Sequence, residues 1–407
     1  MRFYNKHLFY ILFVLMAANT TNAQDILKLM NYNLLFFPSS NPSKYQHLKT
    51  IVNYYKPDVL AVNELENFAG SVTILDSALN AYSEQYAPAL FFPNTNISNF
   101  LYFNTEKLGF HSQRVLYTEP RNTNIYKLYY KNQDFGLYPD TLYLDFLVVH
   151  YKSSQGAANV QLRTNQSQAI KNYLDALPAT NNTFLLGDFN MYTATEAGYQ
   201  ILFTEGNGKL IDPINRPGNW SNNASFADIH SQSPRTISFD GGVIGGLDDR
   251  FDINLVSTPV MTGFAGVQYI ANTYQTVGND GLHFNKSLID SPINNSAPDS
   301  IIQALYLMSD HLPVMMEVLT IPQNVVKSIS MVKPANFGYL DAANAILYWN
   351  KNISGLLVVS DLSGRVVQQL ELNQAMQTEI AFPTQKGIYL ITLFNENQIV
   401  QTWKWVR

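Results

Sequence analysis

Thr183-Phe184-Leu185-Leu186-Gly187-Asp188-Phe189-Asn190 is the stretch that decides how this chain folds. An apolar run of strand character goes straight into a carboxylate and an amide. Such a run reads as a strand buried on both faces. Asp and Asn are disfavoured beside it unless they have partners; the plain alternative is an Asx turn or helix cap ahead of Thr193. The pattern recurs. Met30-Asn31-Tyr32-Asn33 closes the alternating run from Ile26, Val59 to Val62 leads into Asn63-Glu64, and Phe146 to Val149 leads into His150-Tyr151-Lys152. Asp249-Arg250-Phe251-Asp252 enters the run Ile253 to Val256, Ser309-Asp310-His311 precedes Leu312-Pro313-Val314, and His283 is a weaker seventh. Rigid strands that end in acids, amides and imidazoles carry reactive groups to the rim of a sheet. Together these ends describe one divalent-metal phosphate site.

Taken singly, each residue also has an ordinary explanation. Glu64 continues a buried strand and suits a hard cation, with Glu66 as the competing choice. Asp252 points opposite to Phe251 along its strand, toward a histidine partner, unless it simply pairs with Arg250 at the surface. His150 could be a satisfied histidine at a sheet edge, Asn33 a turn residue, and Ser309-Asp310-His311 a surface turn. Asp310 could position a metal or tune His311, and His311 could touch a phosphate.

The 407 residues are 46% hydrophobic and 14% charged, a globular composition long enough for two or three domains. Arg2, Lys6, the apolar run Leu8 to Ala18 and the small residue in Asn22-Ala23-Gln24 describe a signal peptide over residues 1–23, cleaved after Ala23. The apolar run is too short for a membrane of about 30 Å hydrocarbon thickness, so the mature chain is expected to carry no transmembrane segment. Removing residues 1–23 takes two cations and moves the formal charge from −5 to −7. An acidic chain has no general attraction to DNA or anionic membranes. With no cysteine, the site has only oxygen and imidazole ligands, which favour Mg first, then Mn or Ca.

Strands and helices alternate over residues 24–320. Helices are expected over Tyr45 to Tyr55, Val72 to Tyr82 and Ala158 to Leu177, and after a Thr193–Glu196 capping box through Leu202. Strands are expected at Ile26 to Asn31, Val59 to Val62, Phe100 to Phe103, Leu142 to Val149, Thr183 to Leu186, Phe251 to Val256 and Pro313 to Leu319. Gly206 to Gly246 reads as loop. Residues 321–334 read as a linker, and 335–407 as a small β-sandwich of short strands with turns at Asp361-Leu362-Ser363-Gly364 and Asn395-Glu396-Asn397.

With these pieces in place, residues 24–320 resemble the endonuclease/exonuclease/phosphatase superfamily, the deoxyribonuclease-like fold. The matching segments are Asn33, Pro57 to Glu64, Val148 to Ser153, Gly187 to Asn190, Asp249 to Asp252 and Ser309 to Pro313. The resemblance implies a four-layer α/β sandwich, two mixed β-sheets flanked by helices, that hydrolyses a phosphate ester by in-line attack of water. It implies that Glu64 binds the divalent cation with Asn33 and Asp310 assisting, and that Asp188 orients or deprotonates the water. Asn190 would hold phosphate oxygens. His311, oriented by Asp252, would serve as acid/base, and His150 would meet the phosphate from the other side. Three departures concern DNA specificity: Asn63 replaces the usual Gln, no acid between Gln85 and Phe100 is placed to pair with His150, and the secreted deoxyribonuclease branch's cysteines are missing.

The tail, through Val358 to Val367, Lys386 to Leu390 and the basic end at Lys404 and Arg407, resembles the sorting domain of type IX secretion cargo. That resemblance implies type IX machinery as a partner and a secreted or surface-attached protein; an ordinary β-sandwich binding module is the other reading. The expected substrate is nucleic acid, with phospholipid, nucleotide or sugar phosphate as alternatives and a non-catalytic surface protein as a third possibility.

Overall fold

The computed structural model describes residues 25–93, 97–131, 141–320, 338–341, 345–361, 365–381, 385, 387–395 and 398–406. The expected leader at 1–23, the linker at 321–334, the turn residues 362–364 and 396–397, Lys386 and Arg407 lie outside them. The chain divides into two compact units, Met1–Gln323 and Asn324–Arg407.

The strands of the first unit are β1 (Asp25–Phe37), β2 (Val59–Leu65), β3 (Tyr86–Pro88), β4 (Ser98–Asn104), β5 (Leu108–Leu116), β6 (Thr123–Tyr130), β7 (Tyr143–His150), β8 (Thr183–Asp188), β9 (Leu210–Ile211), β10 (Asp252–Ser257), β11 (Val267–Tyr269), β12 (Gln275–Thr276) and β13 (Val314–Thr320). Its helices are α1 (Tyr45–Tyr55), α2 (Phe68–Thr73, prolonged by a π turn over Ile74–Leu79), α3 (Ala157–Asp175), α4 (Ala197–Leu202), α5 (Thr258–Thr262) and α6 (Asp299–Met308). One sheet has the order β11-β13-β1-β2-β4-β3, with β12 also on β13; the other runs β5-β6-β7-β8-β10-β9. Both are mixed: β1 with β2 and β7 with β8 are parallel pairs in otherwise antiparallel sheets.

Period-two alternation builds the layers. On β7 and β8, Phe146, Val148, Phe184 and Leu186 join a core with Met30, Leu60 and Met316 of the other sheet. Their neighbours Leu147, Val149 and Leu185 pack on the opposite face with Ile170 and Leu174 of α3 and Leu202 of α4. The rings of Phe146 and Phe184 stack at 5.0 Å between the sheets. Three asparagines also cross between the sheets. Asn31 Nδ2 donates to Asn254 Oδ1 (2.6 Å), Asn254 Nδ2 to Val314 O (3.2 Å), and Asn63 Nδ2 to Val149 O (2.9 Å).

Several local expectations change. The second helix begins at Phe68, not Val72, because the Asn67 side chain accepts the Gly70 N–H and caps it there. The Thr193–Glu196 capping box does not form. Glu196 is itself the N-cap without a side-chain bond, and its carboxylate is taken by Arg163 Nε (2.7 Å) and Nη2 (3.1 Å) and by the Tyr192 N–H. A buried bidentate ion pair outcompetes a single capping bond.

The second unit is all-β: β14 (Gly338–Asp341), β15 (Ile346–Asp361), β16 (Val366–Glu379), β17 (Ile388–Asn395) and β18 (Gln398–Val406). β15 is one long strand in a module expected to have short ones; its register shifts beside Gly355, whose φ of +155° admits the irregularity. Leu347, Trp349, Leu357, Val359, Ile391, Leu393 and Trp405 form its core.

Phe184→Ala should lower the stability of the first unit by about 3–5 kcal/mol through the cavity left between the sheets. Chemical denaturation followed by intrinsic fluorescence measures this, and a loss under about 1 kcal/mol would mean the sheets do not close over that ring.

Candidate active site

Strand register assembles the site. In the second sheet Asp188 is the direct cross-strand partner of His150 on parallel β7 and of Asp252 on antiparallel β10. In the first sheet Asn33 on β1 stands opposite Asn63 on β2. β13 starts at Val314 opposite Asn31, so the preceding Asp310 and His311 arrive at the same margin. Gly187 makes the approach of β7 and β8 possible: with φ +141°, a Cβ there would collide with the Val149 carbonyl, the oxygen that Asn63 uses.

The Asp188 carboxylate is the hub. Its Oδ2 accepts from Asn33 Nδ2 (3.1 Å) and lies 3.4 Å from His150 Nε2 and 3.9 Å from His311 Nε2. Its Oδ1 accepts the Asn190 N–H (2.9 Å), and its own N–H donates to Asn63 Oδ1 (3.1 Å). Glu64 approaches from the other sheet. Its Oε1 accepts from Asn33 Nδ2 (3.1 Å) and stands 3.7 Å from His150 Nε2, and its Oε2 accepts the Phe36 N–H (3.0 Å). Glu66, the competing carboxylate, instead accepts from Ser39 N and Oγ. Asp252 Oδ2 receives His311 Nδ1 at 2.7 Å and Ser231 Oγ at 2.7 Å, while Arg250 pairs with Asp212 rather than Asp252. Asn190 Nδ2 reaches Tyr151 O at 3.3 Å. His283 stays apart, held by Asp280 and by the carbonyls of Asp290 and Pro292.

Strain concentrates at this margin. Leu35 (φ +50°), Phe36 (+43°), Glu64 (+58°) and Asn190 (+49°) all hold left-handed backbone without being glycine. A fully buried lysine secures the first two: Lys44 Nζ donates to Leu34 O (3.0 Å), Leu35 O (2.9 Å) and Ser40 Oγ (2.7 Å). Burial, aided by Arg235, lowers its pKa to about 8 against the pull of Asp310, Asp240 and Glu64.

The two histidines are pushed in opposite directions. Burial pushes His150 well below its ordinary value, and Arg121, His311 and Lys152 push the same way; its Nδ1 has no hydrogen-bond partner among the described residues. Burial opposes charge on His311 too, but the charge and hydrogen bond of Asp252, with Asp310 and Asp188 behind it, raise it well above. Burial raises Asp188, with His311 opposing and Asp252 and Glu64 adding; it also raises Glu64, with Asp310 adding.

Glu64, His150 and Asp188 each offer one atom within 4.8 Å of the others, a group able to hold a metal ion. Asp310 is not part of that group: its Oδ2 accepts the Val243 N–H (2.7 Å), while its buried Oδ1 has no partner among the described residues. Buried carboxylates suit a hard divalent cation, whose charge would oppose the upward push that burial gives Glu64 and Asp188.

Two residues escaped the sequence reading. Arg121, after β5, donates to Tyr151 O (2.7 Å) and faces Asp188 and Glu64. The Gln232 amide reaches His311 Nε2 at 2.6 Å. Neither adjoins an apolar run that would have marked it.

A family model described as the Endonuclease/Exonuclease/phosphatase family matches residues 30–235. No curated protein matches the chain. Among solved structures, a D. rerio TDP2 humanized by 14 mutations is 14% identical, over 72% of this chain and 98% of its own, at a TM-score of 0.46. A mannosyl-6-phosphatase of Bacteroides thetaiotaomicron is 14% identical over 72% of this chain and 99% of its own, with a TM-score of 0.44. The human Nocturnin catalytic domain with bound sulfate is 14% identical over 72% and 97%, with a TM-score of 0.42. With half of its residues under the family model, the chain belongs to the endonuclease/exonuclease/phosphatase family, whose members are phosphoester hydrolases and generally depend on a divalent metal.

Proposed function

We propose that the protein is an exported phosphodiesterase that cleaves nucleic acid. The observation that carries this reading is an aromatic rim beside the acid–imidazole cluster. Phe36, bonded through its N–H to Glu64, is 44% exposed, and Phe68, four residues beyond Glu64, is 63% exposed and meets Phe91 edge-on at 6.0 Å. Exposed rings next to a phosphate site are a platform on which bases stack, at about 1–3 kcal/mol per base. Arg121 and Lys152 lie toward His150 and offer charge to a phosphate backbone in an otherwise acidic chain.

In this reading Glu64 would hold the cation, Mg by preference, with Asn33 and Asp310 assisting as ligands or phosphate contacts, and His150 and Asp188 face the same space. Bound there, a cation would neutralise charge on the phosphate. Asp188 orients the attacking water and takes its proton, Asn190 fixes phosphate oxygens, and His311, kept charged by Asp252, stabilises the transition state or protonates the leaving oxygen. The leader at 1–23 and the all-β second unit support export through type IX machinery, ending in release or surface attachment.

A phospholipid is the second reading, favoured by one observation. Val243, tied to Asp310 through its N–H, and its neighbour Ile244 are about half exposed beside the site.

Full-length protein supplied with Mg or Mn should cleave single-stranded DNA, duplex DNA or RNA faster than sphingomyelin vesicles or mononucleotides. Preferential cleavage of the vesicles would replace the nuclease reading, and activity that survives EDTA would remove the metal. Asp188→Asn and His311→Ala should each lower kcat by roughly 10²–10³-fold; wild-type rates in either would refute the assigned roles.

Lys44→Met should weaken Mn binding by about 10–100-fold in titration calorimetry, because the strained loop that aligns Phe36 N–H on Glu64 loses its anchor. An unchanged affinity would show that the loop holds itself.

A further inference from the structure

The segment His230 to Ser233 is wedged between Asp249 and His311. The Gln232 N–H donates to Asp249 O (3.1 Å), and Gln232 O accepts from Asp248 N (2.9 Å) and Asp249 N (3.0 Å). Its neighbour Ser231 is fixed as firmly. Ser231 O accepts Leu312 N–H (2.7 Å), and Ser231 Oγ donates to Asp252 while accepting the Phe251 and Asp252 N–H groups. The backbone under Gln232 is therefore bonded on both sides.

The side chain is held much less. Gln232 is buried, and its amide makes one hydrogen-bond contact among the described residues, the 2.6 Å approach of its Nε2 to His311 Nε2. His311 Nδ1 is committed to Asp252, so Nε2 is the ring atom left to meet a substrate, with Asp188 Oδ2 at 3.9 Å on its other side. Any phosphate oxygen that reaches Nε2 must share that space with the Gln232 amide. A protonated His311 offers an N–H at that edge, which the amide meets by turning its oxygen inward, and the opposite rotation about the same terminal bond gives its nitrogen to an anionic oxygen. A rigid backbone carrying a side chain anchored at one point can swing without disturbing the fold.

We propose that Gln232 is a phosphate-positioning residue. Its amide steadies the substrate-facing edge of His311 when no phosphate is there, and donates to a non-bridging phosphate oxygen when one is. This rests on His311 being the imidazole that meets the phosphate, which the His311→Ala rate tests separately.

The experiment uses the full chain with Mn, bis(p-nitrophenyl) phosphate as substrate and inorganic phosphate as competitive inhibitor. Gln232→Ala should lower kcat/KM and raise the phosphate inhibition constant, each roughly tenfold, the effect expected for losing one hydrogen bond to a charged group. Its Tm and Mn affinity should stay as in the wild type. Gln232→Glu, the same size but facing an anion with a carboxylate, should lose roughly a hundredfold on both kinetic measures. If both variants keep the inhibition constant within twofold of wild type, the proposal is overturned. A fall in kcat with an unchanged inhibition constant would also overturn it, leaving a residue that merely steadies His311. Should the alanine variant not fold, Gln232→Glu and Gln232→Asn decide on the same readouts.

Discussion

A carboxylate buried where two sheets meet is the constraint on which this fold turns. An isolated charge in that position would be too unfavourable to keep. Asp188 survives because five separate segments converge on it: β1 through Asn33, β2 through Asn63, β7 through His150, the turn through Asn190 N–H, and the approach to β13 through His311. A one-residue slip of any of these strands would turn its contributing side chain to the opposite face. The requirements of the site thus fix the register of both sheets, and the apolar core fills in around them. Asn63 shows the coupling directly, since one amide joins the carbonyl of Val149 to the amide N–H of Asp188.

The second constraint is strain. Positive φ at Leu35, Phe36, Glu64 and Asn190 would cost of order 1–3 kcal/mol apiece if unsupported. Leu35, Phe36 and Asn190 have support from the site itself, the last through its N–H on Asp188 Oδ1. Leu35 N–H donates to Asn33 Oδ1, Phe36 N–H to Glu64, and Lys44 Nζ ties down the Leu34 and Leu35 carbonyls. The bonds that hold the loop also aim the carboxylates. Rigidity and readiness to take a cation are therefore one property of this segment.

Local pattern made much of this legible. The run from Thr183 to Leu186 marks β8 because no polar residue interrupts it, and alternation past Phe251 places Asp252 on the side where His311 waits. Composition and chain length say nothing about loops that fold back over long sequence distances. Arg121 and Gln232 sit in such loops, and only the closed sandwich brings them to His150 and His311. Asn63 stands where the family pattern has Gln, and its short side chain carries the bridge between the sheets. β5 and β6 went unread because His111, Ser112, Gln113 and Lys127 interrupt their alternation. The Glu196 capping box failed for the opposite reason: Arg163, thirty-three residues earlier, competes for the same carboxylate.

The imbalance between the two imidazoles has a chemical consequence. His311 has an acid on Nδ1 that favours its charged form, while His150 has none there and burial favours its neutral form. A neutral imidazole can accept a proton or ligate a cation, but it brings no positive charge to an anionic substrate. On the His150 side that charge falls to Arg121, itself one of the groups that keep His150 neutral. Giving His150 a carboxylate partner would add a second charged imidazole and crowd Arg121 with a like charge. In the proposed reaction the absent acid therefore divides the work between the two histidines: His311 supplies charge and a proton, and His150 supplies a lone pair.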